Sequence, residues 1–301
     1  MSENWFSWKR VSPRCWVAAD EGGNSLAIAC EGEAILVDTK MPGFGAVLRR
    51  EAEAVCGVPI RTVINTHHHR DHVGGNNAFT PDCVVMMHEN GIARVGSLGE
   101  KIAEAVKGAL IQVSVSDRVE RTAVLRELHA FAAVLPAIDS FVPNRIVQRS
   151  ESLTIGGVGI ELIHLGSGHS DNDLIVWIPS ENVLHSGDLI FNHAWPYVDR
   201  SGGMQSAGWI AGCEKILERC DAETVVVPGH GAVDRREAAA RQRDLLLDLR
   251  ARAEHAVGSG IAREKFLSSA LDEYRALGRA ERLKPMALGG FWDEAAEAST
   301  G

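Results

Sequence analysis

The chain contains no Cys-x-x-Cys pair, and its six cysteines (Cys15, Cys30, Cys56, Cys83, Cys213 and Cys220) form no dense framework. That scatter argues against a disulfide-stapled scaffold or a zinc ribbon and fits buried thiols in a reducing compartment. No stretch approaches the ~20 apolar residues of a membrane span, and the first ten residues, MSENWFSWKR, lack the apolar core of a secretory signal. The expectation is a cytoplasmic protein without membrane contact. Basic clusters are missing too: 31 Lys and Arg stand against 40 Asp and Glu, a net charge of -9. Phosphate binding rests on clustered Lys and Arg, so no nucleic-acid partner is expected. Internal repeats, low-complexity tracts and linkers rich in Pro, Gly or Ser are absent as well, which points to a single domain over 1–301.

What is present is an ordinary globular balance of 45% hydrophobic and 24% charged residues over 301 positions, enough for a sizeable core with additions. Short apolar runs at 15–20, 25–30 and 34–39, separated by Gly-containing turns, predict a strand meander. Val47, Leu48, Ala52 and Val55 recur at helical spacing before the β-branched run 62–64, and 83–87 reads as a further strand. The stretch from about 90 to 140 reads as a helical insertion, with Val124, Leu128, Phe131 and Leu135 on one face. It packs on the core, forms part of a lid, or does both. From 146 to 187 the strand pattern returns in RIVQ, SLTIGG, VGIELIHL, DLIVWI and NVLHSG, which predicts a second sheet. A helix near 208–219, a strand at 224–227 and a helical C-terminal extension over about 235–301, broken at Gly258-Ser259-Gly260, complete the pattern. The C-terminal apolar residues Leu245, Leu246, Leu249, Phe266, Leu271, Phe291 and Trp292 could cover the core or build a homodimer contact.

The chemistry concentrates in His67-His68-His69-Arg70-Asp71-His72, between an apolar strand and Val73-Gly74-Gly75. In an extended segment, residues two apart point the same way, so His67 and His69 can face one metal while a turn aims Asp71 and His72 at a second. Downstream, Gly168-His169, Gly187-Asp188 and Gly229-His230-Gly231 each place a ligand-type residue in a Gly-containing turn after a strand-like run. Imidazole with carboxylate suits zinc, iron or manganese, and no thiolate is placed to select further.

The order HxHxDH, GH, GD, PGHG resembles the metallo-β-lactamase superfamily over roughly residues 15 to 235. The resemblance implies an α/β fold: an αββα sandwich of two mixed β-sheets flanked by helices, here with the helical insertion and C-terminal extension. It implies a first zinc on His67, His69 and His169, a second on Asp71, His72 and His230, and Asp188 bridging them. Ligand counting agrees, because seven candidates exceed one tetrahedral site but suit two sites that share a bridge and a water. The implied reaction is attack of a metal-bound hydroxide on a carboxylic ester, thioester, lactone or lactam, with Asp71 as a catalytic residue that orients the nucleophile or shuttles its proton. Asp188, where some lactamases of the superfamily carry cysteine, is similar to the glyoxalase II and lactonase branches. The lactonase tyrosine three positions later is here Phe191, and glutathione-binding basic and tyrosine motifs are not evident, so the substrate stays open.

Segment 191–197 follows Asp188, which makes His193, Trp195 and Tyr197 candidate contacts for a small-molecule substrate; the alternative is a packing loop held by Trp195. His68 is expected to point away from the metals. His88, His129 and His255 fall in or near presumed helices and are expected at or near the surface, whereas His164 and His185 read as core histidines or as supports for a ligand. The competing reading is a mononuclear iron oxidoreductase similar to the persulfide dioxygenases. Phosphodiester cleavage by a nuclease is the third, and the acidic balance opposes it.

Overall fold

The computed structural model describes residues 4–300, which divide into two compact units. The first takes in the chain up to 164 together with 174–185, and the second takes in 165–173 and 186 onward.

The first unit opens with the antiparallel meander β1 (Trp8–Ser12), β2 (Cys15–Ala18), β3 (Ser25–Ala29) and β4 (Ala34–Val37). Helix α1 (Gly45–Cys56) then crosses to β5 (Ile60–Ile64), which pairs parallel to β4. A single turn, α2 (Arg70–Val73), precedes β6 (Val84–His88), and β7 (Arg145–Val147) adds parallel to β6. The result is a seven-stranded mixed sheet in sequential order. Between β6 and β7 lie α3 (Glu89–Gly96), α4 (Gly99–Ser114) and α5 (Arg121–Ala133). A second sheet in the same unit is antiparallel through β8 (Glu151–Ile155), β9 (Val158–His164), β10 (Leu174–Ile178) and β11 (Val183–His185). The second unit carries α6 (Ser206–Arg219), β12 (Val225–Val227), α7 (Glu237–Gly258), α8 (Arg263–Leu267) and α9 (Ala280–Thr300), with α7 packed against both α6 and α9. The architecture is the expected α/β class of two sheets with flanking helices and a helical C-terminal extension.

Periodicity explains most of these elements. Val47, Leu48 and Ala52 of α1 are buried in one core cluster with Leu36, Val63 and Val85 from the sheet. Ala109, Val113, Val124 and Leu128 of α4 and α5 join that cluster, so the insertion packs as core. Leu135 does not share their face: α5 ends before it and it lies exposed. The RIV run belongs to the first sheet rather than the second. As an edge strand parallel to β6 it buries Val147 and leaves Ile146 in solvent. His88 is also a correction: it closes β6, is buried, and stacks on His164 with ring centroids 3.8 Å apart. The C-terminal apolar residues Leu246, Leu249 and Phe291 are buried within their own unit. No helix among the described residues is long and apolar enough to cross a membrane.

Two buried charges shape the frame around the histidine loop. Glu51 of α1 accepts hydrogen bonds from the backbone N–H of Trp5 (2.7 Å) and Phe6 (3.1 Å) and from the Trp8 indole (3.2 Å), which ties the chain's start to α1. Lys40 is fully buried and donates to the carbonyls of Ala18 and Gly23, both at 2.7 Å, closing the turn between β2 and β3. Desolvation lowers its pKa to about 7, against the nearby carboxylates of Asp20, Asp38, Glu21 and Asp71 that raise it.

Glu51→Ala should cost about 2–4 kcal/mol in urea unfolding, because buried backbone donors lose their charged acceptor. A loss below 1 kcal/mol would show that water replaces the carboxylate. For Lys40 the sign is set by a folded pKa below the unfolded value of 10.5. Between about 7 and 10.5 the unfolded chain binds the extra proton, so this group's contribution to stability rises with pH. The stability of metal-stripped wild type relative to Lys40→Met should therefore grow between pH 7 and 9.5, and a flat difference would mean the ammonium stays protonated.

Candidate metal centre

The histidine loop follows β5 and is bent rather than extended up to α2. The bend still brings His67 and His69 together, with His67 Nε2 3.0 Å from His69 Nδ1. His69 sits at the start of α2, its carbonyl accepts the His72 N–H at 2.9 Å, and that helical turn carries Asp71 and His72. His72 Nε2 lies 3.9 Å from Asp71 Oδ2. His67 and His72 are fully buried; His69 and Asp71 are half-buried. The His68 ring lies 4.4 Å from that of His69.

The far sides of two rings are fixed by one carboxylate that the sequence reading passed over. Asp38 follows β4 in a left-handed conformation with φ 60°. Its Oδ2 lies 2.7 Å from His72 Nδ1, and its two oxygens accept the backbone N–H and the hydroxyl of Thr66, each at 2.8 Å. Thr66 Oγ1 is in turn 3.0 Å from His67 Nδ1. With the Thr66 proton given to Asp38, both imidazoles carry their proton on Nδ1 and present Nε2 as a lone pair, the state a metal ligand needs. Space is reserved as well: a Cβ on Gly23 would lie 2.2 Å from the His72 ring, so only glycine lets this backbone approach.

The second unit holds the remaining three candidates on turns after strands. His169 lies in the loop beyond β9, Asp188 in the turn 187–189 beyond β11, and His230 beyond β12. Asp188 Oδ2 is 3.6 Å from His169 Nε2 and 3.4 Å from His230 Nε2, and all three residues are buried. A Cβ on Gly229 would lie 1.9 Å from Asp188 Oδ1, which accounts for the glycine before His230. Asp173, also buried, accepts from Ser170 N (2.8 Å) and Ser170 Oγ (2.5 Å); burial pushes its carboxyl up to about 7 against the lowering effect of those bonds.

Aromatic rings enclose this half of the site. Phe191 stacks on His230 at 5.2 Å, and Trp209 of α6 meets His169 edge-on at 5.1 Å, its indole N–H donating to the Leu189 carbonyl. Of the three residues expected at a substrate wall, Tyr197 is nearest, with its ring 6.3 Å from His169 and half-buried. His193 is exposed. Trp195 is a correction: it is 1% exposed, with its ring 5.9 Å from Tyr274 and Lys284 Nζ above it, so it is core of its unit and presents no surface to a substrate. Neither Trp209 nor Arg279, whose Nη1 is 3.3 Å from His230 Nδ1, carried a motif that would have marked it in the sequence. His185 is a satisfied core histidine, with Nε2 3.0 Å from the Asn24 carbonyl.

The donor set fits a metal such as zinc. Bonds of about 2.0–2.1 Å in a tetrahedron put neighbouring ligand atoms roughly 3.3–3.4 Å apart. The 3.4 and 3.6 Å nitrogen–oxygen separations match that edge and exceed an ordinary hydrogen bond.

Comparison with known proteins agrees with this chemistry. The chain is 26% identical over 90 residues to a type 2 metallo-β-lactamase of Bacteroides fragilis, covering 30% of this chain and 36% of the relative. It is 27% identical over 226 residues to the 2,4-dinitroanisole O-demethylase subunit alpha of a Nocardioides species, covering 73% and 56%. The chain thus spans between about a third and somewhat over half the length of these curated relatives. A solved metallo-β-lactamase from Pontibacter korlensis superposes with a TM-score of 0.60 at 17% identity, over 80% of this chain and 99% of that one, which is a likeness of fold. The model of the family described as "Metallo-beta-lactamase superfamily" matches residues 18–230, a span that contains every candidate ligand from His67 to His230, and the chain belongs to that superfamily.

Proposed function

We propose that the protein is a hydrolase that uses two zinc ions to cleave a carboxylic ester, thioester, lactone or lactam in a small-molecule substrate. In this reading His67, His69 and His169 hold one ion, Asp71, His72 and His230 hold the other, and Asp188 is shared. The observation that carries it is the spacing in the second unit, where the buried Asp188 carboxylate stands 3.4 Å from His230 Nε2 and 3.6 Å from His169 Nε2, near the edge of a coordination tetrahedron. In the first unit the orientations of the His72 and His67 rings are set by Asp38 and Thr66. Zinc supplies a Lewis acid and makes water acidic near neutral pH.

This chain's own residues do the rest. In this reading Asp71, half-buried with its carboxylate 3.9 Å from His72 Nε2, orients the attacking water and takes its proton. Phe191 and Trp209 keep water from the outer sides of His230 and His169, which strengthens local electrostatics. Tyr197 and His193 are the substrate contacts in this reading. The O-demethylase relative adds an aryl ether to the bonds worth assaying. Six free cysteines, five of them buried, support a reducing cytoplasmic setting, and the net charge of -9 supports the absence of a nucleic-acid partner.

Elemental analysis of protein purified without added metal should give close to two zinc per chain, and chelation should abolish hydrolysis across a panel of thioester, lactone, ester and lactam. One iron per chain, with oxygen consumed on a persulfide and no hydrolysis, would replace this reading by the persulfide dioxygenase type. Asp38→Asn should weaken zinc binding about 10–100-fold in competition titrations with a chromophoric chelator, since the carboxylate that orients His72 is lost. Unchanged affinity would remove Asp38 from the site.

A further inference from the structure

The turn between β2 and β3 is pressed against the histidine loop. Asp20, Glu21 and Gly22 are left-handed in succession, with φ of 70°, 50° and 123°. Residues with side chains keep such a backbone only where surrounding contacts over-determine it. Some of those contacts come from the helical turn that carries two candidate ligands. Gly23 donates its N–H to the Asp71 carbonyl at 3.1 Å, and a Cβ on Gly22 would lie 2.7 Å from that same oxygen. Others come from the segment after β4: the Met41 N–H donates to the Glu21 carbonyl at 2.9 Å, beside the Lys40 bonds to Ala18 and Gly23.

The helical insertion supplies the last fastening through Arg118, in the loop between α4 and α5. Its Nη2 donates to Asp20 Oδ2 at 2.8 Å, and its Nη1 donates to the Trp5 carbonyl at 3.1 Å and lies 3.8 Å from Glu21 Oε1. The guanidinium also lies over the Trp5 ring, 4.6 Å from its centroid. A lone surface ion pair contributes little because both side chains stay mobile. Here one cation joins two carboxylates, a carbonyl and a ring, and Trp5 is itself held by Glu51. The base of the arm is equally fixed, since Val113 and Val124 on either side of the loop lie in the core cluster. Only the strained turn separates Arg118 from the backbone of Asp71 and the ring of His72. We propose that Arg118 is a positioning residue, through which the insertion holds the turn 19–23 against Asp71 and His72 and so fixes the geometry of the second metal site. This rests on the reading of those two residues as ligands and gives the insertion a part in metal binding.

Hydrogen exchange by NMR on metal-stripped protein and competition titration with a chromophoric zinc chelator test this in wild type, Arg118→Gln, Arg118→Lys and Asp20→Asn. Asparagine suits a left-handed position, so Asp20→Asn removes the ion pair from its other side without new strain. In Arg118→Gln and Asp20→Asn the Gly23 amide should exchange at least about tenfold faster, while amides of β4 and β5 keep their protection. The same two variants should lose about tenfold in affinity for one of the two zinc ions and leave the other within about twofold of wild type, with Arg118→Lys between. Equal exchange at Gly23 in all four proteins overturns the proposal, as does faster exchange there with both zinc affinities unchanged. Loosening of Gly23, β4 and β5 together also overturns it, by making Arg118 a general tie between insertion and sheet. A wild type that takes up no zinc defeats the hydrolase reading, yet selective loosening of Gly23 in Arg118→Gln still supports Arg118 as the residue that holds the turn against Asp71 and His72.

Discussion

The carboxylate of Asp38 is the interaction on which the histidine loop depends. It is fully buried, and it accepts from the Thr66 backbone, the Thr66 hydroxyl and the His72 ring. A buried anion is tolerated only when its lone pairs are filled, and three short bonds fill them. Asp38 thereby converts the end of β4 into a template for the loop after β5. The left-handed backbone at Asp38 and again at Lys40 is the strain accepted to aim one carboxylate at His72 and one ammonium at the turn above it.

From that template the placing of two buried imidazoles follows. His67 and His72 are inaccessible to solvent, and neutral rings are far cheaper to bury than charged ones. Hydrogen bonds that hold the proton on Nδ1 fix the tautomer of these rings and leave Nε2 basic. Glycine does complementary work where side chains would collide. Gly23 lies against the His72 ring and Gly229 against Asp188, and in each case a Cβ would meet a ligand-type atom well inside van der Waals contact. The C-terminal extension adds a different component. Helices α7 and α9 bury their apolar faces within the second unit, and the segment leading into α9 carries Arg279 to His230.

Much of this is legible in the sequence. Strand runs of β-branched and apolar residues located nearly every sheet element to within a residue or two. The exceptions have plain causes. Strand β1 (WKRVS) carries three basic or hydroxyl side chains on a sheet edge, where little burial is demanded, so it left no apolar run. The RIV run obeyed the strand rule, but pairing partners are chosen by long-range register, which is why it lies beside β6. Leu135 fitted the helical period, yet α5 had already ended.

At the candidate site, residue type and spacing over six positions single out His67, His69, Asp71 and His72, although the loop is bent where the spacing argument takes it as extended. The turns at His169, Asp188 and His230 were likewise marked by glycines beside ligand-type residues. What sequence alone determined is therefore the fold class and the residues with metal-ligand chemistry. Tertiary structure decided which groups set their protonation and surroundings: Asp38, Thr66, Trp209 and Arg279 reach their partners from 1 to 49 positions away, and Trp195, aromatic and close to Asp188 in sequence, is buried. A side chain's role beyond its own turn is set by packing against elements distant along the chain, and no local period encodes that contact.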